Sequence, residues 1–193
     1  MALPLTPTTE LEAVNVMLTS IGEQPVNTLE TPGISVVSIA RSILHQTSRQ
    51  VQERGLRCNT ETDFPLPVDE HGNVRVPANT LKVDPTDPTK DYVLRGDRLY
   101  DRRNRTYTFT EPVRVDLVLF LPFEKLPQAA REYITIRAAR IFQTRVLGSE
   151  TLHAFTLEDE RQAFLSLIAA EVESGDYNVF DHSPTLQRML RRW

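Results

Sequence analysis

The spacing of apolar residues along the chain predicts four amphipathic helices, two on either side of a central region without helical periodicity. The predicted helices span residues 9–22, 34–54, 126–147 and 150–174. Thr9 and Glu12 have capping-box spacing at the first N-terminus, and Gly148 follows the third helix as a stop signal. Amphipathic helices bury their apolar stripes, so the simplest arrangement packs all four together.

The fourth helix is predicted to have an apolar face and an acidic first turn. Thr156 is a candidate cap for a separate second part of this helix, and Glu158, Asp159 and Glu160 would then lie near the positive end of the helix dipole. These acids are interpreted as solvated, as are those near the C-terminus of the helix. The apolar face is predicted to consist of Phe164, Leu167, Ile168 and Val172.

The central region, residues 56–123, is predicted to be β-rich, because prolines recur through it and short apolar alternations lie between turn residues. The alternation from Val113 to Phe120 indicates the strongest strand, and its C-terminal half is apolar on both faces, as in a buried strand. A hairpin is predicted in which residues 91–101 pair with 105–110. The pattern therefore indicates an antiparallel β meander inserted between the second and third helices.

These elements predict an α+β fold in three parts. Residues 1–55 and 124–175 form an antiparallel bundle of about four helices, 56–123 form the β-rich insert, and 176–193 extend as a C-terminal tail. The end of the tail, from Thr185 to Trp193, has a basic amphipathic pattern. Two interpretations stay open for it, a further core helix or an arm that docks on a neighbouring molecule.

The charge balance narrows the functional classes. The 193 residues include 22 Lys and Arg against 26 Asp and Glu, and this net charge of −4 speaks against a general nucleic-acid-binding protein. Lysine occurs only at Lys82, Lys90 and Lys125, so the other 19 basic residues are arginines. Arginine tolerates burial at interfaces better than lysine. Either the base composition of the genome or a protein rich in subunit contacts explains this excess.

Cys58 is the single cysteine, which excludes an intrachain disulfide and a multi-cysteine zinc site. Residues Met1 to Pro7 lack the basic and apolar regions of a signal peptide, and no apolar run approaches the ~18 residues that span a bilayer. We therefore expect a protein that folds in a reducing cytosol, without membrane association.

Catalytic and cofactor-binding patterns are absent from the sequence. Asp69-Glu70-His71 is the best metal-like triplet, but Gly72-Asn73 follows it directly and indicates a solvated turn. No nucleophile elbow, phosphate-binding loop or dinucleotide-binding motif occurs. Arg95-Gly96-Asp97 matches an integrin-binding tripeptide, yet Gly-Asp here is typical of the junction between a strand and a turn. We expect no enzymatic activity, no cofactor and no metal.

The segment from Arg95 to Arg105 is locally basic, with five arginines against two aspartates. One interpretation is a solvated hairpin with cross-strand ion pairs. The other is a contact patch for an acidic protein partner or for passing DNA. Tyr100 and Tyr107 are interpreted as ordinary strand residues.

Five segments of the chain share residues, order and spacing with one protein family. They are Leu11-Glu12-Ala13-Val14-Asn15 with Leu18, Ser20-Ile21-Gly22-Glu23, Pro25-Val26 and Thr28-Leu29-Glu30; Arg49-Gln50-Val51-Gln52 with Arg54-Gly55; Leu99-Tyr100-Asp101-Arg102; Arg131 to Phe142 with Gly148; and Gly175-Asp176-Tyr177-Asn178. In these segments, which span nearly the whole chain, the sequence resembles the tail tubular protein A family of T7-like short-tailed bacteriophages.

The resemblance implies a structural virion protein of the phage tail, a head-to-tail adaptor or gatekeeper made in the host cytoplasm. Proteins of this kind form a dodecameric ring that binds the portal protein on one side and the nozzle, tail tubular protein B, on the other. Tail fibres attach around that junction, and DNA passes through the lumen during ejection.

Composition and position predict two interfaces within this role. The residues predicted to contact the portal are Tyr177, Phe180, Leu186, Met189, Leu190 and Trp193. The residues predicted to contact the nozzle or a neighbouring subunit are Arg98, Arg102, Arg103 and Arg105.

Two other functions are weighed against the adaptor. A tail-associated glycan hydrolase with a dual structural role would need two carboxylates facing each other in a groove. A DNA-binding regulator built on the helices would show a steep salt dependence of DNA binding.

Overall fold

The computed structural model describes residues 7–30, 36–148 and 150–174. Its helices are α1 (Glu10–Ser20), α2 (Val36–Gln52), α3 (Gln128–Leu147) and α4 (Glu150–Ser174). Its strands are β1 (Thr60–Leu66), β2 (Thr80–Pro85), β3 (Tyr92–Arg95), β4 (Arg98–Asp101) and β5 (Val113–Leu119). All strand pairs are antiparallel. The predicted α+β fold class is therefore confirmed, whereas the predicted tail, 176–193, lies outside the described residues.

Helix α3 is the centre of the helical part, because α1, α2 and α4 all pack against it. Its side chains Ile134, Ala138 and Phe142 are fully buried in a core to which all four helices contribute. Within the parts of the chain that the structure describes, no helix is both long and apolar enough to cross a membrane.

The capping box predicted at the start of α1 is confirmed. The backbone N–H of Glu12 donates to Thr9 Oγ1 at 3.2 Å, and the backbone N–H of Thr9 donates to Glu12 Oε2 at 2.7 Å. At the other end of the helical part, α3 ends at Gly148, whose φ of 62° is the left-handed conformation that glycine adopts without a steric cost.

The order of strands in the sheet differs from the predicted meander. The three-stranded sheet has the order β1-β5-β2, so its central strand comes last in the sequence, and β3 and β4 form a separate hairpin. The prediction that β5 is buried on both faces is confirmed by Leu117 and Val118, which point to opposite faces and are 1% and 8% exposed. In the central place, β1 and β2 satisfy the backbone hydrogen bonds along both edges of β5.

The predicted pairing of residues 91–101 with 105–110 is wrong. Strand β3 pairs with β4 through a two-residue turn, Gly96-Asp97, and beyond it only a single bridge joins Asp101 to Thr106. Gly96 has a φ of 67°, as the first turn residue of a type II′ hairpin requires. The two-residue turn is favoured over the predicted longer connection because its backbone twist matches that of the paired strands.

A second hydrophobic core lies in the β-rich part, and two buried amides join this part to α2. Gln52 at the end of α2 is fully buried: its Nε2 donates to Leu121 O at 3.0 Å, and the N–H of Leu121 donates to its Oε1 at 2.8 Å. Asn59 Nδ2 donates to Gln52 O at 3.0 Å and to Leu119 O at 2.7 Å. The second core is formed by Leu66, Val74, Val83, Leu99, Phe109, Val113, Val115 and Leu117.

Helix α4 departs from its prediction in two respects. It is continuous from Glu150 to Ser174, so Glu158, Asp159 and Glu160 lie inside the helix and not in a first turn near the helix dipole. Of its predicted apolar face, Leu167 is buried and Phe164 is half-buried, but Ile168 and Val172 are exposed. The buried face is instead rotated towards Glu160 and Ala163, which pack against α3.

Candidate interaction surface

The predicted arginine patch lies on the β3–β4 hairpin and on the turn that follows it. Leu99 of β4 is fully buried in the second core, so the hairpin is fixed to the sheet through its apolar side. The backbone N–H of Leu99 donates to Val74 O at 2.9 Å, and the N–H of Val76 donates to Asp97 O at 3.1 Å. The arginines of this segment are therefore presented by a well-supported element.

Asp101 organises the turn that presents three of the predicted arginines. It is buried, and its carboxylate accepts the backbone N–H and the side-chain amide of Asn104, each at 2.8 Å. Burial alone would raise the pKa of Asp101, but the N–H groups of Asn104 and Arg103 outweigh burial and hold the pKa below its ordinary value. Arg105 in this turn has a φ of 54°, a strained backbone conformation for a residue other than glycine.

Tyr100 and Tyr107 form a stack with two arginines, a role that the sequence analysis missed. The guanidinium carbon of Arg95 lies 3.7 Å from the centroid of the Tyr100 ring, and that of Arg98 lies 5.1 Å from the Tyr107 centroid. The two rings are 4.8 Å apart between centroids. Each cation–π contact at an exposed site contributes about 0.5–1 kcal/mol. The alternation in β4, which places Arg98 and Tyr100 on the same face of the strand, is a local signal for this stack. Tyr107 lies outside the hairpin, so its place in the stack could not be predicted from that pattern.

Ion pairs and hydrogen bonds hold most of the arginines in place. Arg102 Nη1 lies 3.6 Å from Asp91 Oδ2, and Arg103 Nη1 donates to Thr89 O at 3.0 Å. Arg98 Nη1 donates to Asn73 Oδ1 at 3.1 Å. In contrast, Arg105 makes no hydrogen bond or ion pair with any residue that the structure describes.

An unpredicted arginine, Arg75, belongs to the same surface. Its Nη1 lies 2.5 Å from Asp97 Oδ2, and its Nε lies 3.7 Å from Asp69 Oδ2. Arg75 comes from a loop far from the hairpin in sequence, so no local pattern could have found it.

The four predicted arginines therefore have different roles. Arg98 is half-buried in the stack with Tyr107, while Arg102, Arg103 and Arg105 are exposed on the turn. The ion pairs of a solvated hairpin are present and the turn presents exposed guanidinium groups, and the contact role of this segment stays a prediction. The predicted portal-binding residues Tyr177, Phe180, Leu186, Met189, Leu190 and Trp193 lie outside the described residues.

A polar groove of about 520 Å³ adjoins this turn. Its lining carries both signs of charge, with Asp87 and Asp101 as well as Lys90 and Arg114. Arg114 is already paired, since its Nη1 lies 2.5 Å from Asp63 Oδ2.

Asp69, from the metal-like triplet, caps a turn. Its Oδ1 accepts the backbone N–H groups of His71 at 2.9 Å and Asn73 at 2.8 Å, and the bond from Asn73 is the main reason why its pKa is lowered. In the described ranges, no group of three His, Cys, Asp or Glu side chains is placed to hold a metal ion.

The acids of α4 have structural contacts that the sequence analysis did not foresee. Glu160, which the sequence pattern predicts to be solvated, is 7% exposed and lies against two arginines of α3. Its Oε1 accepts Arg137 Nη1 at 2.5 Å, and its Oε2 accepts Arg140 Nε. Glu171 accepts the backbone N–H of Arg57 at 2.8 Å. These contacts bind helix to helix and helix to loop.

Comparison with known proteins identifies the family. A family model described as tail tubular protein matches residues 11–177 of this chain. Tail tubular protein A of Klebsiella phage KP34 is 29% identical over 153 residues, which cover 79% of this chain and 81% of that protein. The chain therefore belongs to the tail tubular protein family and is a structural protein of a bacteriophage tail.

Proposed function

We propose that this protein is the head-to-tail adaptor of a short-tailed phage. In this role it forms a ring, dodecameric in the virion, between the portal protein and the tail nozzle, and DNA passes through the ring during ejection. The match of residues 11–177 to the tail tubular protein family carries the proposal. The subunit is made in the host cytoplasm, and tail fibres attach around the junction.

Two features of the structure support a role that the protein performs through contacts with other proteins. A helical core centred on α3 provides a rigid body, and buried Gln52 and Asn59 fix the β-rich part to it. A glycan hydrolase would require two free carboxylates. Two of the acidic residues of α4 are already paired, since Glu160 binds two arginines and Glu171 accepts the backbone N–H of Arg57. We therefore propose a structural role without catalysis.

The adaptor role is tested by mixing the protein with the portal ring of the same phage, followed by co-sedimentation and cryo-electron microscopy. We expect a stoichiometric ring of this chain stacked on the portal. Absence of association between folded protein and portal would contradict the role.

Removal of the tail is expected to abolish portal binding. We propose that the segment from Tyr177 to Trp193 contacts the portal, because its apolar and arginine residues are the types enriched in interface anchors. Truncation after Gly175 should weaken portal binding by more than about a hundredfold, since several anchors are lost together. The thermal unfolding midpoint of the truncated chain serves as the folding control. Portal binding that survives truncation contradicts this assignment.

Neutralising the arginine turn is expected to weaken nozzle binding or ring formation. The double variant Arg102→Gln/Arg105→Asn removes two exposed charges, and asparagine tolerates the positive φ at position 105. We expect roughly tenfold weaker association and a shallower salt dependence. Arg145→Gln, which removes an exposed charge on α3, is the matched control. Unchanged nozzle binding and unchanged ring formation in the double variant would exclude the turn from both interfaces.

A further inference from the structure

Side chains of α1, α3 and α4 line a groove of about 350 Å³, here called the α1–α4 groove. Val16 of α1 is 47% exposed and Ile136 of α3 is only partly buried, so the described residues leave the apolar part of this groove partly uncovered. The apolar lining consists of Val16, Ile136, Ala139 and Ala163, and the exposed acids of the lining are Glu132 and Asp159.

The residues that lead into α1 are held at the first turn of α3. The backbone N–H of Thr8 donates to Gln128 Oε1 at 2.9 Å, and Gln128 Nε2 donates to Thr8 Oγ1 at 2.9 Å. Arg131 Nη1 donates to Thr8 O at 3.0 Å. Because these bonds fix both the backbone and the side chain of Thr8, the preceding residue, Pro7, also lies beside Gln128. The chain before Pro7 thus departs from the first turn of α3.

The face of α3 that carries Gln128 is the face that lines the groove. Residues at steps of three or four lie on one face of a helix. Counted from Gln128 in such steps, the next residues of this face are Glu132, Ile136 and Ala139, and all three line the groove. The groove therefore begins about one helical turn beyond the point at which Pro7 is held.

The length of the preceding segment, residues 1–6, matches the groove. These residues lie outside the described ranges, so their place is inferred from where the chain departs at Pro7. Between Gln128 and Ala139, the helix rises by about 16 Å. Six extended residues span up to about 20 Å. Pro4 and Pro7 favour extended backbone in the residues that precede them.

The composition of segment 1–6 also suits the groove. Leu3 and Leu5 are two positions apart, so in extended backbone both side chains point to the same side. On that side they can cover Val16 and Ile136, and burial of apolar surface on both partners favours the contact. The segment carries no charged side chain, so the acids of the groove do not repel it.

The tail, 176–193, is a less suitable occupant. Helix α4 continues to Ser174, eight residues beyond the groove residue Ser166. The tail therefore begins about 12 Å from the groove, whereas segment 1–6 begins within about one helical turn of it. A shorter connection costs less conformational entropy when the segment docks.

We infer that segment 1–6 lies along α3 in the α1–α4 groove of its own copy, with Leu3 and Leu5 packed on Val16 and Ile136. The segment then bridges α1 and α4, each of which packs on α3. It also prevents another protein from using this groove. The contact lies within one copy, so the inference does not depend on the proposed adaptor role.

Thiol labelling of the full chain tests this contact. Cys58, the only cysteine, is replaced by serine, and Val16→Cys then supplies a single thiol inside the groove. In the otherwise unmodified segment, this thiol should be protected. We expect Leu3→Asp/Leu5→Asp to make the thiol at position 16 react roughly tenfold faster, because the segment no longer covers it.

Two controls separate cover by the segment from a general loosening of the fold. Ala2→Asp/Thr6→Asp adds the same two charges on the other side of the extended segment and should leave the rate at position 16 unchanged. Val146→Cys places the thiol on a residue of α3 that is 46% exposed, much like Val16, but that does not line the groove. Its rate should respond to neither pair of substitutions.

Three outcomes would overturn the inference. The first is that Leu3→Asp/Leu5→Asp leaves the rate at position 16 unchanged, or raises the rate at position 146 equally. The second is that only truncation after Gly175 raises the rate at position 16, which would assign the cover to the tail. The third is protection that disappears on about hundredfold dilution, since a contact between copies depends on concentration and a contact within one copy does not.

Discussion

Replacing Glu160 with alanine is expected to lower the free energy of unfolding by about 3–5 kcal/mol, the range for breaking a buried ion pair by removal of one partner. The side chains of Glu160, Arg137 and Arg140 are 9%, 24% and 18% exposed. Loss of the carboxylate would leave two largely buried guanidinium groups without their counter-charge. In a domain of this size, the thermal midpoint should fall by roughly 10 °C.

Equilibrium unfolding in urea, followed by circular dichroism, measures this effect. Glu158→Ala is the matched control, because Glu158 is an exposed acid on the same helix two residues away. Glu160→Gln keeps the shape and one acceptor oxygen and should fall between the other two variants. Equal urea midpoints for Glu160→Ala and Glu158→Ala would show that the ion pair does not fasten α4 to α3.

The second large effect is expected at Gln52, whose replacement by alanine should lower the free energy of unfolding by about 2–4 kcal/mol, since a cavity and unpaired polar groups are created together. The Gln52 side chain is fully buried, and its amide bonds both the N–H and the C=O of Leu121 and also donates to Ser48 Oγ at 3.0 Å. Its loss removes the direct tie between the end of α2 and the strand-to-helix connection.

Hydrogen exchange distinguishes local loss of the Gln52–Leu121 hydrogen bonds from a general decrease in stability. In Gln52→Ala, the amide of Leu121 should lose protection ahead of the amides of α3. Gln52→Leu fills the space without the hydrogen bonds, so it separates the cavity from the unpaired groups, and exposed Gln50→Ala on the same helix is the control. A Leu121 amide as protected in Gln52→Ala as in the unmodified chain would contradict the role assigned to Gln52.

Features that depend on short-range geometry could be predicted from local sequence patterns. Thr9 and Glu12 are three residues apart, so their capping box depends only on local backbone geometry. Gly148 ends α3 for a similar reason. The burial of the C-terminal half of β5 on both faces follows from its local apolar pattern, but its central place between β1 and β2 does not. The family was also accessible from sequence, because the matching segments recur in order along the chain.

Which charges are buried and which apolar residues are exposed depends on how the helices pack together, and local patterns did not predict it. Periodicity predicted that Ile168 and Val172 lie in the core and that Glu160 is solvated, but the rotation of α4 on α3 reverses this. That rotation places Glu160 between Arg137 and Arg140, which lie some twenty residues earlier in the chain. The local periodicity of a helix shows which of its faces are apolar. Whether that face is covered depends on partners that are distant in sequence, because burial is a property of the packed elements together.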